Sequence, residues 1–348
     1  MNKLFLFTLS LIVSATILSC KIKKMPNEVI TQKNFRIGFY NVENLFDTIN
    51  IDGKADEEFT PKSKKKWNTK RYFKKLNDLA KVVDGMNYPA ILGLCEVENA
   101  AVLKDFIAET SLKNHDYNYI HFESPDFRGI DVAMIYQENV FQILESETIE
   151  INFPKSIIGE EKYTTREILH VTGIFSKKDT LHIYVNHFPS RRGGLKASEP
   201  KRTYVAEQLM KSVNGVYSKN KNANILLMGD FNDEPENNSI KKTIGAKSLT
   251  STQTKSSFIN CSAKLDFIKK GTYNYRGNWN MLDQIIVSNT MLQKDGKLKI
   301  GEFQIFQKEW MMYKSDKYGM TPNRTYGGPN YYGGYSDHLP VFVELRID

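Results

Sequence analysis

The sequence predicts an α/β (α+β) fold in which stacked β-sheets are covered on the outside by helices, and three observations lead to this prediction. Eight short segments rich in Val, Ile, Phe and Tyr are bounded by turn residues, as strands are. Three longer segments place apolar residues at helical spacing. Apolar residues make up 41% of the 348 residues and aromatic residues 12%, which supplies core material and excludes a disordered chain.

The first 19 residues have the pattern of a secretory signal peptide. A basic start precedes the apolar run LFLFTLSLIVSATILSC, which is short for a membrane span. The segment ILSC resembles a bacterial lipobox, which implies cleavage before Cys20 and lipidation of that residue; an uncleaved anchor is the alternative. We expect a lipoprotein signal peptide at 1–19, a polar tether at 20–34 and a single domain at 35–348. The lipid would anchor the protein to a membrane of the bacterial cell envelope, or the protein would be exported.

Each strand candidate is a short apolar segment between turn residues. Val, Ile, Phe and Tyr, which favour extended backbone, are enriched in them. In chain order they are 35–41 (FRIGFYN), 90–96 (AILGLCE), 130–136 (IDVAMIY), 167–175 (EILHVTGIF), 181–187 (LHIYVNH), 225–230 (ILLMGD), 282–288 (LDQIIVS) and 339–346 (LPVFVELR).

The helix candidates are fewer. They are 69–84, 99–110 and 200–216, the last of which opens on Pro200, a residue suited to a first helical turn. The Gly- and Tyr-rich segment 318–335 (YGMTPNRTYGGPNYYGGY) predicts a long loop instead. Loops of this length inside a domain are usually functional or mobile.

Four strand candidates carry an apolar face that ends in a polar residue. Because side chains alternate between the two faces of a strand, the terminal residues on these faces are Asn41, Glu96, His187 and Asp230, with Asn232 following Asp230. The apolar parts of the faces are Phe35, Ile37 and Phe39; Leu92 and Leu94; Leu181, Ile183 and Val185; and Leu226 and Met228. One such residue could mark a strand edge that meets water. Four together indicate strand ends that converge on one site.

The segment ILLMGDFNDEP (225–235) places several acidic groups at the end of a strand that reads as buried. Burying an unpaired carboxylate costs several kcal/mol or forces protonation. A hard divalent cation is the usual remedy, and Mg²⁺ suits the carboxylate and amide oxygens offered here, with Mn²⁺ or Ca²⁺ as alternatives. The lack of a Cys/His cluster argues against zinc. Beyond Cys20 only Cys95 and Cys261 remain, as one disulfide or as free thiols.

The chain is basic, with a formal net charge of +8, or about +7 once Lys3 is removed with the signal peptide. This charge favours an anionic partner such as nucleic acid, a phosphorylated lipid or a sugar phosphate. The densest basic patch, KSKKKW at 62–67, is either a solvated surface or a steering surface for such a substrate.

Seven blocks follow one another in order: FYNVENLF, GLCEVEN, RGIDVAMIY, VNHFPSRRGG, MGDFNDEP, LDQIIVS and YSDHLP. Together they resemble the endonuclease/exonuclease/phosphatase superfamily, whose folds are similar to deoxyribonuclease I. The resemblance runs from about residue 35 to residue 346. It implies a four-layer α/β/β/α sandwich with the active site at one edge of the two sheets.

The resemblance also implies roles for the strand-end residues. Glu96 corresponds to the principal metal-binding Glu, and Asn41 to an Asn that supports metal and phosphate. Asp230 and Asn232 correspond to the pair that orients the attacking water and holds a phosphoryl oxygen. A carboxylate in this position can deprotonate the incoming water.

The remaining blocks imply the groups that handle protons. His187 corresponds to a His that contacts phosphate and protonates the leaving group. Asp337 and His338 correspond to a terminal pair, in which we assign Asp337 to the metal. Asp283 corresponds to the Asp that orients His338, and an Asp–His pair of this kind sets the tautomer and raises the basicity of the imidazole.

Four arginines are candidates for binding the substrate phosphate. They are Arg128 in FRGID, Arg166 in TTRE, and Arg191 and Arg192 in PSRRGG; a turn brace is the alternative for Arg128 and ordinary surface charge for the others. Glu43 lies two residues beyond Asn41 and is an additional candidate for the metal. The other histidines, His115, His121, His170 and His182, match no block, and we interpret them as structural.

The sequence therefore predicts a divalent-metal-dependent phosphoesterase that hydrolyses P–O bonds by direct attack of water. A phosphodiesterase or endonuclease acting on DNA or RNA is favoured, and a monomer is expected. A phosphomonoesterase or a sphingomyelinase-like enzyme is the alternative, and a catalytically silent lipid-anchored binding module is a remote one. Tyr326, Tyr331, Tyr332 and Tyr335 could stack on bases or pack the 318–335 loop.

Overall fold

The alternation of short apolar and amphipathic segments produces the strands and helices seen in the computed structural model, which describes residues 34–160, 163–248, 258–293 and 296–347. The predicted signal peptide, Cys20 and nearly all of the tether lie outside the described residues. The described residues belong to one compact unit. None of their helices is both long enough and apolar enough to cross a membrane.

Strands dominate the described chain. In chain order they are β1 (Asn34–Leu45), β2 (Ile91–Val97), β3 (Tyr117–His121), β4 (Asp131–Gln137), β5 (Phe141–Ile149), β6 (Ile168–Phe175), β7 (Asp179–His187), β8 (Asn224–Asp230), β9 (Lys247–Ser248), β10 (Phe258–Asn260), β11 (Tyr273–Tyr275), β12 (Asn278–Asn280), β13 (Asp283–Ser288), β14 (Leu298–Ile305), β15 (Met312–Ser315), β16 (Gly319–Pro322), β17 (Tyr326–Gly327), β18 (Asn330–Tyr331) and β19 (Val341–Ile347). The helices are α1 (Thr69–Gly85), α2 (Ala100–Ala108), α3 (Lys155–Ile158), α4 (Leu195–Lys219) and α5 (Ala263–Phe267), with a π-helical turn at Ser239–Ile244.

Two large sheets face each other. The first has the strand order β14-β19-β1-β2-β4-β3 and the second β5-β6-β7-β8-β13-β10-β9. β1 and β2 run parallel, as do β7 and β8, so the carboxyl ends of each pair lie at the same edge of their sheet. β13 runs antiparallel to β8, with Asp283 opposite Asp230. This pairing brings the first residue of β13 to the edge where β8 ends.

Three hydrophobic clusters separate four layers. One lies between the sheets and includes Phe39 and Met228. A second lies between the first sheet and helices α1 and α2. A third lies between the second sheet and α4. Each large side chain buried in this way contributes about 1.5–3 kcal/mol. The fold is the predicted four-layer α/β/β/α sandwich.

All eight predicted strands are present, with ends shifted by a few residues. Sequence reasoning missed β3, β5 and β14, the long strands at the edges of the two sheets. The outer faces of these edge strands are partly exposed, as in the half-buried pattern of β5, so their apolar signal is diluted with polar residues. The central strands are buried on both faces and read as continuous apolar runs.

Two local predictions were wrong in part, and the structure selects one of the two alternatives left open for the cysteines. Helix α4 begins at Leu195 rather than Pro200, because Gly194 at φ +110 ends the preceding turn and its carbonyl accepts from Ser198 N at 3.1 Å. The segment 318–335 is not a plain loop, since it contains β16 and the β17–β18 hairpin. Both remaining cysteines are free, with Cys95 buried between the sheets.

Candidate active site

Asn41 reaches the site by continuing the inward face of β1. Its neighbours on that face, Ile37 and Phe39, pack between the sheets. Asn41 Nδ2 donates to Asp230 Oδ2 at 3.1 Å, and Asn41 Oδ1 accepts from Glu43 N at 3.0 Å. This side chain therefore joins the end of the first sheet to the end of the second.

Glu96 reaches the site by a different route from the one predicted. Leu92 and Leu94, the residues on its predicted face, pack against the outer helices and not between the sheets. The pairing of β2 with β4 shifts between Cys95 and Val97, and Glu96 has a left-handed backbone at φ +63. A bulge of this kind re-aims a side chain. It carries Glu96 Oε1 to 3.9 Å from His187 Nε2.

Asp230, the last residue of β8, lies at the centre of the group. In addition to Asn41, its Oδ2 lies 3.7 Å from His187 Nε2 and 3.9 Å from His338 Nε2. Its Oδ1 accepts from Asn232 N at 2.9 Å. One buried carboxylate thus faces an amide and two imidazoles.

Asp283 holds the ring of His338. Asp283 Oδ2 lies 2.7 Å from His338 Nδ1, and both side chains are buried. His338 N donates to Ser336 Oγ at 3.1 Å, and Ser336 Oγ donates to Asn41 O at 2.7 Å. The carboxylate fixes the orientation of the ring so that Nε2 faces Asp230.

The pKa values of the two imidazoles shift in opposite directions. Burial lowers the pKa of His187 well below its usual value, and the cations Arg166 and Arg128 add to this effect. Burial alone would also lower the pKa of His338, but Asp283 and Asp230 raise it well above the usual value. These shifts favour the neutral form of His187 and the protonated form of His338.

Burial also governs the central carboxylate. It raises the pKa of Asp230 to about 6, with His338 opposing the shift and Asp283 adding to it. With a pKa of about 6, Asp230 is mostly ionised at neutral pH and takes up a proton at mildly acidic pH. A carboxylate poised in this way is suited to general base chemistry.

The cost of burying the Asp233 carboxylate, in the acidic segment after β8, is offset by other protein groups. Asp233 is fully buried, and its Oδ1 lies 2.8 Å from Nε of Arg202, which is also fully buried. Its Oδ2 accepts from Ser239 Oγ at 2.7 Å. The sequence analysis expected a divalent metal ion to offset the buried charge. For Asp233 the positive charge comes instead from Arg202 on α4.

Asn232 is locked beside Asp230 in a left-handed conformation at φ +49. Its Nδ2 donates to Phe188 O at 3.1 Å, and its carbonyl accepts from Arg191 Nε at 2.8 Å. Arg191 also donates to Asn280 Oδ1 at 2.9 Å. The guanidinium of Arg191 thus braces the loop that carries Asn232.

Arg166 and Arg128, which were also predicted to bind phosphate, occupy different environments. Arg166 is buried, and its guanidinium donates to Asp126 at 3.1 Å and to the carbonyls of His187 and Phe188 at 3.0 and 2.8 Å. Arg166 therefore holds the end of β7, which argues against the phosphate contact predicted for it. The Arg128 side chain is 38% exposed, and its Nε lies 3.4 Å from Asp126 Oδ1. Of Arg128, Arg166 and Arg191, Arg128 has the largest exposed fraction, against 23% for Arg191 and 4% for Arg166.

Asp337 is paired with a cation that the sequence reasoning did not single out. Arg324 Nη2 lies 2.6 Å from Asp337 Oδ2, and Arg324 Nε lies 3.7 Å from Glu43 Oε1. This pairing differs from the predicted assignment of Asp337 to a metal, because the carboxylate already has a cationic partner. No motif marked Arg324, since it lies in the segment predicted as a loop.

Glu43 anchors that same segment. Its Oε2 accepts from Thr325 N at 2.6 Å, and Lys75 Nζ donates to Thr325 Oγ1 at 2.6 Å. Burial and then Asp337 raise the pKa of Glu43 to about 7. Glu43, an additional metal candidate in the sequence, is used in the structure to hold the backbone of the loop next to the site.

The site suits a hard cation at Glu96. Glu96 Oε2 accepts from Asn44 N at 2.9 Å, whereas Oε1 faces the neutral His187. Among the described residues, no lysine or arginine lies within 4.0 Å of this carboxylate. In the same site, Asp230, Asp283 and His338 each offer a possible ligand atom, and these atoms lie within 4.8 Å of one another.

Comparisons with known proteins identify the family. Residues 36–347 match the family described as the endonuclease/exonuclease/phosphatase family. No curated protein sequence matches the chain significantly. The fold is similar to humanized D. rerio TDP2 (TM-score 0.55, 14% identity, covering 90% of this chain and 100% of that one). It is also similar to the human nocturnin catalytic domain with bound sulfate (0.55, 17%, 91% and 94%) and to a Bacteroides thetaiotaomicron mannosyl-6-phosphatase (0.53, 17%, 89% and 99%).

These identities are low, so the structural likenesses show the fold alone. The family match, by contrast, spans nearly the whole described chain and includes every residue of the site. The chain belongs to the endonuclease/exonuclease/phosphatase family.

Proposed function

We propose that this protein is a divalent-metal-dependent phosphoesterase that cleaves P–O bonds by direct attack of water, and that its substrate is a phosphodiester such as DNA or RNA. The observation that carries the proposal is the arrangement around Asp230 Oδ2. Asn41 lies 3.1 Å away, His187 3.7 Å and His338 3.9 Å, with Asp283 behind His338. The proposed base and the proposed acid are therefore neighbours at one sheet edge.

Asp230 is the proposed base. Its carboxylate is ionised above its pKa of about 6 and accepts a proton from the incoming water. Asn41 holds Oδ2 from one side, and the Asn232 amide holds Oδ1. These two hydrogen bonds orient the carboxylate without neutralising it.

His338 is the proposed proton donor. The resemblance assigned this role to His187. Asp283 raises the pKa of His338, so this imidazolium can stabilise a phosphoryl oxygen and donate its Nε2 proton. The lowered pKa of His187 favours a neutral ring, whose single N–H can donate a hydrogen bond to phosphate but is too weakly acidic to protonate a leaving group. The two histidines thus divide the acid and contact functions.

The divalent ion would be held by Glu96, with Asn41 beside it. When bound, it would supply Lewis acidity toward the phosphoryl oxygens. Asp337 could join only by giving up its 2.6 Å pair with Arg324, so we assign the principal role to Glu96. Mg²⁺ is the proposed ion, with Mn²⁺ or Ca²⁺ as alternatives.

A direct assay tests the proposal. Purified residues 21–348 would be incubated with bis-p-nitrophenyl phosphate, p-nitrophenyl phosphate, plasmid DNA and sphingomyelin, with Mg²⁺ or with EDTA. We expect turnover of the diesters that EDTA abolishes and added Mg²⁺ restores. Faster turnover of the monoester would favour a phosphomonoesterase, the class to which one protein of similar fold, the mannosyl-6-phosphatase, belongs by name. No metal-dependent turnover of any substrate would favour a silent binding module.

The cell-envelope location is also proposed, on the basis of the ILSC segment. The test is expression of the full chain in a bacterium, followed by detergent phase partition. Partition into detergent that is lost in Cys20→Ala would support the lipid anchor. Equal partition of both chains would contradict it.

A further inference from the structure

A cavity of about 690 Å³ opens beside the proposed active site. Asp337, the neighbour of His338, lines one end of it, and Tyr273, Tyr275 and Tyr332 line its sides. Tyr273 forms an isolated backbone bridge with His338, and their ring centroids are 4.8 Å apart. The cavity is therefore lined by two residues that adjoin the proposed proton donor, Asp337 and Tyr273.

Exposed aromatic rings line this cavity. Tyr275 is 52% exposed, and Tyr313 and Tyr332 are each 59% exposed. By contrast, two further tyrosines of the 318–335 segment pack against tryptophan rings. Tyr326 is buried and packs on Trp67, and Tyr335 packs on Trp310. The three exposed rings have no comparable role in the core, and each presents surface to a ligand.

The walls of the cavity are held in place. Glu43 accepts from both Thr325 N and Tyr326 N, at 2.6 and 3.3 Å, and so ties the base of the β17–β18 hairpin to β1. At Gly327 a Cβ atom would lie only 2.5 Å from Tyr332 Cε2, so glycine is what lets the Tyr332 ring lie against this hairpin. A ring held in this way loses less freedom when it stacks on a ligand.

Positive charge accompanies the rings. Arg276 lies 5.2 Å from the centroid of the Tyr275 ring, and Arg324 lines the cavity while pairing with Asp337. The cavity thus combines flat aromatic faces with guanidinium groups next to a site built for a phosphoester. A nucleotide offers the complementary set, because each base has a π-face and each linkage carries an anion. A sugar phosphate offers the anion without the π-face.

We propose that this cavity binds the nucleobase next to the scissile phosphate, so that the enzyme prefers nucleotide esters to simple phosphodiesters. The inference rests on the proposed phosphoester hydrolysis at the same site. Tyr275, Tyr313 and Tyr332 supply stacking faces, and Arg276 supplies positive charge. These four residues select the substrate and lie outside the acid–base group of Asp230 and His338.

The test compares two chromogenic diesters that share the p-nitrophenyl leaving group: the p-nitrophenyl ester of thymidine 5′-phosphate and methyl p-nitrophenyl phosphate. We expect Tyr332→Ala and Tyr275→Ala to lower kcat/KM for the thymidine ester by about tenfold or more, the loss of one stacking contact. Turnover of the methyl ester should stay within about twofold, because it carries no base. Tyr332→Phe should keep the preference, and Phe267→Ala, at an exposed ring outside the cavity lining, should change neither rate.

Binding of adenosine 5′-monophosphate and of glucose 6-phosphate, measured by calorimetry, separates this inference from the proposed function. The expected result is binding of the nucleotide that weakens by about tenfold in Tyr332→Ala. An enzyme that hydrolyses the methyl ester but shows no tyrosine-dependent preference would overturn the cavity proposal alone. Glucose 6-phosphate binding as well as the nucleotide, in a Tyr332-dependent way, would overturn it in favour of a sugar. Nucleotide binding without any hydrolysis would overturn the proposed function alone.

Discussion

Three polar groups lie within 3.9 Å of one oxygen of Asp230, and none of them comes from its own strand. Asn41 belongs to β1, His187 to β7, and His338 to the segment before β19. Burial raises the pKa of this carboxyl group to about 6. Its chemical role therefore depends on residues distant in the sequence.

Replacing this carboxylate by an isosteric amide should remove turnover while keeping the fold. We expect Asp230→Asn to lower kcat on bis-p-nitrophenyl phosphate by about 10²–10⁴, because an amide cannot accept the proton of water. The melting temperature should not fall, since the amide avoids the cost of burying a charge. His338→Ala should lose turnover similarly. Exposed Asp316→Asn is the control, and near-normal rates in either site variant would refute the assigned roles.

Two histidines that the proposed mechanism does not use should affect stability in acid. His170 Nε2 lies 3.2 Å from His182 Nδ1, and burial followed by the charge of His170 lowers the pKa of His182 to about 4. A histidine of the unfolded chain titrates near 6.5. Between about pH 6.5 and pH 4 the unfolded chain therefore binds more protons, so this contribution to stability is present above pH 6.5 and is lost as the pH falls through that range.

The measurement is urea unfolding of the wild type and of His182→Gln at neutral pH and near pH 4.5. The loss of unfolding free energy on acidification should be smaller in the variant, because glutamine does not titrate. His115→Gln, at a histidine stacked on Tyr88 and outside this pair, should keep the wild-type loss. An identical loss in His182→Gln would show that His182 does not carry the effect.

At the scale of single elements, strand irregularities and a helix decide which side chains enter the site. The bulge in β2 turns Glu96 toward His187, whereas strict alternation would leave it on the helix-covered face. Helix α4 supplies Arg202, which neutralises Asp233 in the loop that follows β8. Both features position functional residues without touching a substrate.

Breaking the pair between α4 and this loop should be costly. We expect Arg202→Leu to lower the free energy of unfolding by about 3–5 kcal/mol, because it leaves the Asp233 carboxylate buried and unpaired. The measurement is urea unfolding. The double variant Arg202→Leu, Asp233→Leu should recover part of the loss, since it removes the orphaned charge.

An exposed ion pair of similar length is the matched control. Lys155 Nζ lies 2.9 Å from Glu160 Oε2, and both side chains are largely exposed. Lys155→Leu should change the free energy of unfolding by no more than about 0.5 kcal/mol. A similar small change in Arg202→Leu would mean that water, and not Arg202, solvates Asp233.

At the scale of the whole molecule, the net charge of +8 bears on the substrate class. A protein that neutralises several phosphates of a nucleic acid loses affinity steeply as salt rises. Raising the salt from about 50 to 200 mM should lower kcat/KM on plasmid DNA by at least about tenfold. Turnover of methyl p-nitrophenyl phosphate, with its single charge, should change little. Equal salt dependence of both substrates would argue against a nucleic acid.

The basic patch at 62–67 gives a sharper form of this experiment. Lys65 is paired with Glu58 at 2.9 Å, and its Nζ lies 4.0 Å from the centroid of the Phe59 ring. Its ammonium group therefore already has partners within the protein. Lys62 and Lys64 are exposed. Lys62→Gln with Lys64→Gln should reduce the salt dependence on DNA if the patch steers the substrate. An unchanged dependence would mark the patch as a solvated surface.

The sequence by itself determined the central strands, the layered architecture and the convergence of strand-end residues. Strands that are buried on both faces are apolar on both faces, so β2, β8 and β13 appear in the sequence as continuous apolar runs that predict strands. Alternation with period two then points to Asn41, His187 and Asp230 from local pattern alone. The sequence did not predict the edge strands β3, β5 and β14, because polar residues on their exposed faces interrupt the apolar pattern.

Only the tertiary structure decided the remaining features. The left-handed turn at Glu96, the Arg202–Asp233 pair and the Arg324–Asp337 pair join residues whose partners no local pattern specifies. The opposite pKa shifts of His187 and His338 likewise depend on which charged groups surround each ring after folding. The physical reason is that strand periodicity is a property of neighbouring residues, whereas burial and electrostatic pairing depend on which distant segments meet.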